Sequence, residues 1–152
     1  MALVKGTNSY VDVSDADAYF STRIGSDAWT LSDPALKESA LVTATTVLDA
    51  MSWVGVPFTL TQPLAFPRRI ADVSETLPSR FIMAVQEMAL HLLQNPDLLE
   101  DTGSVNSLEV GPVSLTSIRA PELLPKLVQR LIAPFTAGNG TINGVRPWWR
   151  AN

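Results

Sequence analysis

LKESALVTATTVLDAMSWVGVPFTLTQPLAFPRR, residues 36–69, is the stretch whose reading decides the fold. Leu36, Ala40, Leu41, Ala44, Val47, Leu48 and Met51 recur at steps of three and four, which lays a broad apolar stripe along one face of a helix. Ser32 or Asp33 can cap its start, and Pro34 suits its first turn. The pattern predicts a helix from Pro34 to Trp53 with Gly55 as its stop. Thr43, Thr45 and Thr46 lower its intrinsic propensity, so packing has to hold it, and other helices must cover its apolar face. An irregular connector over 55–77 follows, passing through Phe66-Pro67-Arg68-Arg69. A connector this long is unusual in a compact domain and often has a purpose.

Upstream, residues 1–13 read as an extended lead-in. Ser14-Asp15-Ala16-Asp17 has the form of a capping box for a short helix from Asp15 to Ile24, ended by Gly25. Trp29 is expected in the next loop as a core plug. Downstream, Pro78 opens a helix over Ser79 to Gln94, with Phe81, Ile82, Val85, Met88, Ala89, Leu92 and Leu93 as its stripe and Asn95-Pro96 as its stop. Residues 97–107 are polar and small, a loop. From Ser107 to Ser117 the period changes, and Leu108, Val110, Val113 and Leu115 around Gly111-Pro112 predict a short hairpin or extended ribbon rather than a helix. Pro121 opens a last helix that ends at Pro134. The expected fold is mainly α, a bundle of about four helices with a short β-hairpin or ribbon before the last and an extended C-terminal arm. Residues 1–135 form the helical domain and 136–152 a flexible C-terminal docking arm.

At 152 residues the chain is about one domain's worth. Apolar residues make up 46% and charged residues 17%. A soluble monomer carries about a quarter charged, so the deficit points to surface covered by a partner. There are no cysteines, which excludes disulfides and thiolate chemistry. No run is long enough for a membrane span and no signal pattern opens the chain, so a soluble, cytosolic product without membrane contact is expected. The net charge of −4 is uneven. Residues 1–118 hold 6 Lys/Arg against 14 Asp/Glu, a balance of −8, and residues 119–152 hold 5 against 1, a balance of +4. An acidic body with a basic tail suits a docking arm.

Catalytic groups are scarce. His91 is the only histidine and reads as packed or helix-flanking. Asp15 with Asp17 is explained by capping, and Glu100 with Asp101 by a solvated loop; neither has metal-ligand company. Gly138-Asn139-Gly140 lacks the Lys-Ser/Thr of a phosphate loop. No enzyme activity, no catalytic residue, no metal and no cofactor are expected. In the tail, Arg146-Pro147-Trp148-Trp149-Arg150 supports two uses. Tryptophan and arginine dominate protein interfaces, and they also stack nucleic-acid bases. The acidic body favours protein docking, because phosphate contacts need a positive stripe.

The chain also resembles a known family. The residues that carry this are Tyr10-Val11 with Ser14-Asp15-Ala16-Asp17-Ala18-Tyr19-Phe20, then Trp29, Lys37-Glu38-Ser39-Ala40-Leu41, Leu48-Asp49, Trp53-Val54-Gly55 and Leu64-Ala65-Phe66-Pro67-Arg68. Val110-Gly111-Pro112-Val113-Ser114-Leu115 and Leu131-Ile132-Ala133-Pro134-Phe135 complete the order. Together they resemble the small head–tail connector (adaptor) proteins of tailed bacteriophages, whose relatives also carry the label DnaT-like single-stranded-DNA-binding protein. Members often have Trp where this chain has Phe66, and the Trp148-Trp149 pair is not a general feature of them.

The resemblance implies a virion neck protein: a homo-oligomeric ring, of twelve copies, docked under the portal. The ring would extend the DNA channel and present a surface for the tail or a tail-completion protein. The genome would pass through the lumen without sequence-specific binding, and during assembly the protein would sit in the host cytoplasm. Arg146, Pro147, Trp148, Trp149 and Arg150 would then reach the portal. Trp53, Gly55, Phe66, Pro67 and Arg68 would be structural or inter-subunit residues, and 55–77 and 107–117 the ring contacts. The alternative is a replication accessory protein that binds single-stranded DNA.

Overall fold

Two long helices carry the core, and the later one is its centre. In the computed structural model, described over residues 2–69, 76–100, 107–110, 113–116 and 122–137 (backbone only at 107–110 and 113–116), helix α4 spans Ser79–Gln94. Phe81, Ala84, Val85, Met88, Ala89, Leu90 and Leu92 are buried along it, and so are Gln86 and Glu87. Burial on more than one side follows from its position, because α4 packs on α2 (Asp27–Thr30), α3 (Pro34–Asp49) and α5 (Lys126–Ile132). Helix α3 covers one flank of it with Ala40, Leu41, Ala44, Thr45 and Leu48. Fully burying a side chain such as Phe81, Leu41 or Met88 contributes roughly 1.5–3 kcal/mol, which sets the scale of this contact.

Local chemistry explains the helix starts. The Asp33 carboxylate accepts the Leu36 N–H at 2.9 Å and Pro34 sits in the first turn, which is the expected cap of α3. The start of α1 (Val13–Phe20) differs from the capping-box expectation. Its cap is Asp12, whose carboxylate accepts the Asp15 N–H at 2.8 Å and the Ser14 hydroxyl at 2.8 Å. Asp15 is left to pair with Lys5, and Asp17 reaches across to the Trp29 indole N–H and to Lys37 at 2.7 and 2.9 Å. The helix therefore begins two residues early and ends at Phe20 rather than Ile24. Trp29 is buried as expected, but on a four-residue helix, α2, rather than in a loop.

Helix α3 also stops early, at Asp49 instead of Trp53. Tertiary hydrogen bonds claim the residues beyond it. Val54 N–H donates to the Phe135 carbonyl at 2.8 Å, Ala137 N–H donates to the Ser52 carbonyl at 2.9 Å, and Trp53 bridges Thr136 antiparallel. Gly55, with φ +79°, then turns the chain into β1 (Val56–Pro57). Strand β1 pairs antiparallel with β2 (Arg68–Arg69), so the irregular connector holds a short ribbon. The second hairpin lies where the period changed: β3 (Ser107–Val110) pairs with β4 (Val113–Thr116), Ser107 opposite Thr116 and Val110 opposite Val113. Within the stretch read as a loop after α4, Pro96–Leu99 forms a 3-10 turn. Helix α5 begins at Lys126 and runs into a second 3-10 turn, Ala133–Phe135. Over the described residues the fold is mainly helical, with five helices.

Candidate functional site

The residues singled out around the connector converge at one end of the molecule. Trp53 and Phe66 are 6% and 3% exposed, and their ring centroids lie 5.2 Å apart, edge to face. Both meet Phe81 of α4: Phe66 stacks on it at 4.1 Å and Trp53 approaches at 5.2 Å. Tyr10 closes the cluster at 4.9 Å from Phe81. The Phe66–Pro67 peptide is cis, and Phe66 belongs to the buried core. The Trp53 indole N–H has no hydrogen-bond partner among the described residues.

Arg68 is half-buried, and its guanidinium is occupied by backbone. It donates to the carbonyls of Val54 at 2.9 Å, Gly55 at 2.5 Å, Ala65 at 3.3 Å and Trp53 at 3.4 Å. A planar fork with five donors suits several carbonyls at once, which a lysine cannot match. Arg68 thus clamps the Gly55 turn to the loop before it.

The exposed side of the ribbon has different chemistry. The Arg69 guanidinium lies 5.6 Å over the Phe58 ring. Phe58 is positioned by its N–H to the Pro67 carbonyl at 3.1 Å, and the Gln62 amide braces the same loop by donating to the Leu64 and Pro67 carbonyls at 2.7 and 3.0 Å. Leu60, in the loop between β1 and β2, is fully exposed. Phe58 was missed as a candidate from sequence. Its signal was present, an aromatic after Pro57 in a stretch that ends in Arg-Arg, but the register that joins it to Arg69 comes from the paired strands.

The cations elsewhere in the body are largely paired with carboxylates of the same chain. Lys5 pairs with Asp12 and Asp15, Lys37 with Asp17, and Arg23 grips Glu87 through two nitrogens at 2.6 and 2.7 Å. Of the six cations in residues 1–118, these three are ion-paired and Arg68 is held by carbonyls. His91 contacts the Glu122 carbonyl through Nε2 at 2.8 Å and the Asn95 amide through Nδ1 at 3.3 Å, which ties α4 to the segment before α5. Among the described residues no three His, Asp or Glu gather as a metal site, and no helix is long and apolar enough to cross a membrane.

Arg146, Pro147, Trp148, Trp149 and Arg150 lie outside the described residues, as do Asp101 and Gly138-Asn139-Gly140. The description ends at Ala137, which is hydrogen-bonded to Ser52 beside the ribbon. The basic C-terminal sequence therefore departs from the same end of the molecule that carries Phe58 and Arg69.

No curated protein and no solved structure gives a significant match. A family model described as "Putative DnaT-like ssDNA binding protein" matches residues 2–146. That match takes in α1 to α5, both ribbons and the start of the basic C-terminal segment, and the chain belongs to this DnaT-like ssDNA binding protein family.

Proposed function

We propose that the protein is a single-stranded DNA-binding accessory protein that contacts the strand at its ribbon end. The observation that carries this reading is the exposed Arg69 over Phe58, next to the point where the chain enters its basic segment. Every base has a π face and every nucleotide a phosphate, so an aromatic beside a guanidinium is the minimal pairing for an unstacked strand. Arg146, Trp148, Trp149 and Arg150 repeat that chemistry further along. The family description speaks for this reading, which sequence alone had ranked second. The test is fluorescence anisotropy with a labelled oligothymidylate from about 50 to about 200 mM salt, where each phosphate contact adds roughly 0.7 to the salt slope. Affinity that falls with salt, and falls again in the Trp148→Ala/Trp149→Ala variant, supports it. No binding at low salt overturns it.

The head–tail connector remains a second reading, and a different observation favours it. With Lys5, Lys37 and Arg23 neutralised internally, the body presents mainly acids, which weakens the approach of phosphates. Its most exposed large apolar side chains, Leu60, Ile24 and Leu31, suit burial against other proteins. In this reading the partners are copies of the chain in a ring, the portal and the tail or tail-completion protein, with residues 136–152 as the portal-binding arm. Cryo-electron microscopy of purified particles tests it. Density of this fold below the portal supports the connector, and virions that lack the protein exclude it.

A further inference from the structure

The turn that joins α1, α2 and α3 presents a surface that the core does not use. Ile24 is 96% exposed, Leu31 85% and Leu36 49%. They are held in place by ordered neighbours. In the same stretch Trp29 is buried and bonded to Asp17, and the Ser26 hydroxyl is within reach of the Phe20 and Arg23 carbonyls at 3.0 and 3.2 Å. The Leu31 N–H bonds the Asp27 carbonyl, so Asp27 and Leu31 stand one turn apart on one side of α2. Asp33 caps α3 through the Leu36 N–H. Two exposed carboxylates, Asp27 and Asp33, lie in the same thirteen-residue stretch as these three exposed aliphatic side chains. The nearest cations are already committed, Arg23 to Glu87 and Lys37 to Asp17.

Such a surface calls for an apolar, cationic occupant. The chain contains one segment of that composition, Arg146-Pro147-Trp148-Trp149-Arg150, and no Asp or Glu follows Glu122. We propose that the Ile24–Leu31–Leu36 corner is a docking surface for this chain's own residues 146–150. The two indoles cover the aliphatics, and the two arginines face Asp27 and Asp33. Ten residues lie between Ala137 and Trp148, which makes eleven Cα–Cα steps. At about 3.3–3.6 Å each they reach about 36–40 Å, comparable with the width of a domain of this length. A tether this short holds its end at an effective concentration in the millimolar range, so a contact too weak for a free peptide is populated within the chain. The docking does not rest on the DNA-binding reading, although DNA would compete for the same side chains.

The chain has no cysteine, so engineered pairs report proximity without background. Thr30→Cys, on α2, combined with Ala151→Cys in the full-length protein leaves every proposed contact in place. Thr46→Cys with Ala151→Cys is the control. Thr46 is exposed near the end of α3, on the side where Ala137 is bonded to Ser52, so random collisions of the tether favour it. On oxidation with diamide, the Thr30 pair should close an intramolecular disulfide about tenfold faster than the Thr46 pair. Adding Trp148→Ala/Trp149→Ala, or Asp27→Lys, should abolish that advantage. Equal closure rates, a predominance of disulfide-linked dimers, or indifference to these substitutions would each overturn the proposal.

Discussion

The Tyr10 hydroxyl donates a hydrogen bond to the Asp49 carboxylate, 39 residues away in sequence. It also accepts the Phe66 N–H at 3.0 Å, and both Asp49 oxygens take the Ala65 N–H at 3.1 and 3.0 Å. One pair of side chains thereby ties the N-terminal lead-in, the end of α3 and the loop before the ribbon. Burial first, and then Asp49, raises the Tyr10 pKa well above that of a free phenol, so the hydroxyl keeps its proton and its donor role. Tyr10→Phe leaves the buried Phe66 N–H without an acceptor and should cost about 1–3 kcal/mol. Urea unfolding should show a lower midpoint with an unchanged slope; an unmoved midpoint would show that the hydroxyl is dispensable.

Glu87 is buried in the centre of α4 and depends on Arg23, with the Tyr19 hydroxyl as a further donor at 2.7 Å. Burial, reinforced by Glu87, pushes the Tyr19 pKa up to about 12, so Tyr19 remains a donor at any ordinary pH. Arg23→Met strands the carboxylate and should cost about 3 kcal/mol. Arg23→Met/Glu87→Gln should cost less than the sum of its single changes, because the stranded charge is gone. A double-mutant cycle by denaturant unfolding reads the coupling, and strict additivity would argue against the pair.

Asp17 links the start of the chain to α2 and α3. Lys37, helped by the Trp29 N–H, holds its carboxyl below the usual value of 3.8. A depressed folded pKa contributes stability that is present above the unfolded value and is lost as pH falls through the folded one. Asp12, lowered chiefly by the Asp15 N–H, follows the same sign. Asp17→Asn should therefore lower stability at neutral pH and approach the parent curve as pH falls through the lowered folded value. Parallel acid titrations of unfolding check this; curves that stay parallel to low pH would contradict it.

Arg68→Ala removes the clamp on the Gly55 turn. Hydrogen bonds from charged donors contribute about 1.5–3 kcal/mol, and the partly exposed site lets water replace some of that, so a loss of about 1–2 kcal/mol is expected. Arg68→Lys should recover only part, since one ammonium cannot span the same carbonyls. Amide exchange at Val54 and Phe58, whose N–H groups bond Phe135 and Pro67, should quicken in both variants.

On the DNA-binding reading, Arg69→Ala should leave the fold intact and reduce the salt slope of oligothymidylate binding by about 0.7. Phe58→Ala should weaken affinity by about 1–3 kcal/mol if the ring stacks a base. Anisotropy at several salt concentrations separates the two effects. An Arg69→Ala slope equal to that of the parent would place the strand elsewhere.

Helix α4 was legible to the residue because two independent signals agreed, the stripe from Phe81 to Leu93 and the Asn95-Pro96 stop. The hairpin at 107–116 was legible because a period of two cannot be mistaken for one of three and a half. Helix ends were misread where competing groups lay close together. Asp12 and Ser14 can each cap a helix, and only the folded geometry shows Asp12 accepting the Asp15 N–H. Trp53 was wrongly assigned to a helix, since its backbone pairing with Thr136 is 83 residues distant and leaves no local trace.

By itself, then, the sequence determined the helical class, the buried faces of α3 and α4, the hairpin, and the split between an acidic body and a basic C-terminal segment. These follow from periodicity, capping chemistry and charge, which act between near neighbours or sum along the chain. Tertiary structure alone decided that α4 rather than α3 is the centre, that the connector holds a ribbon clamped by Arg68, and that Arg69 covers Phe58 beside the exit of the basic segment. Each of those depends on groups brought together from distant positions. Hydrogen bonds and ring contacts reach only a few ångströms, so no spacing along the chain can announce them.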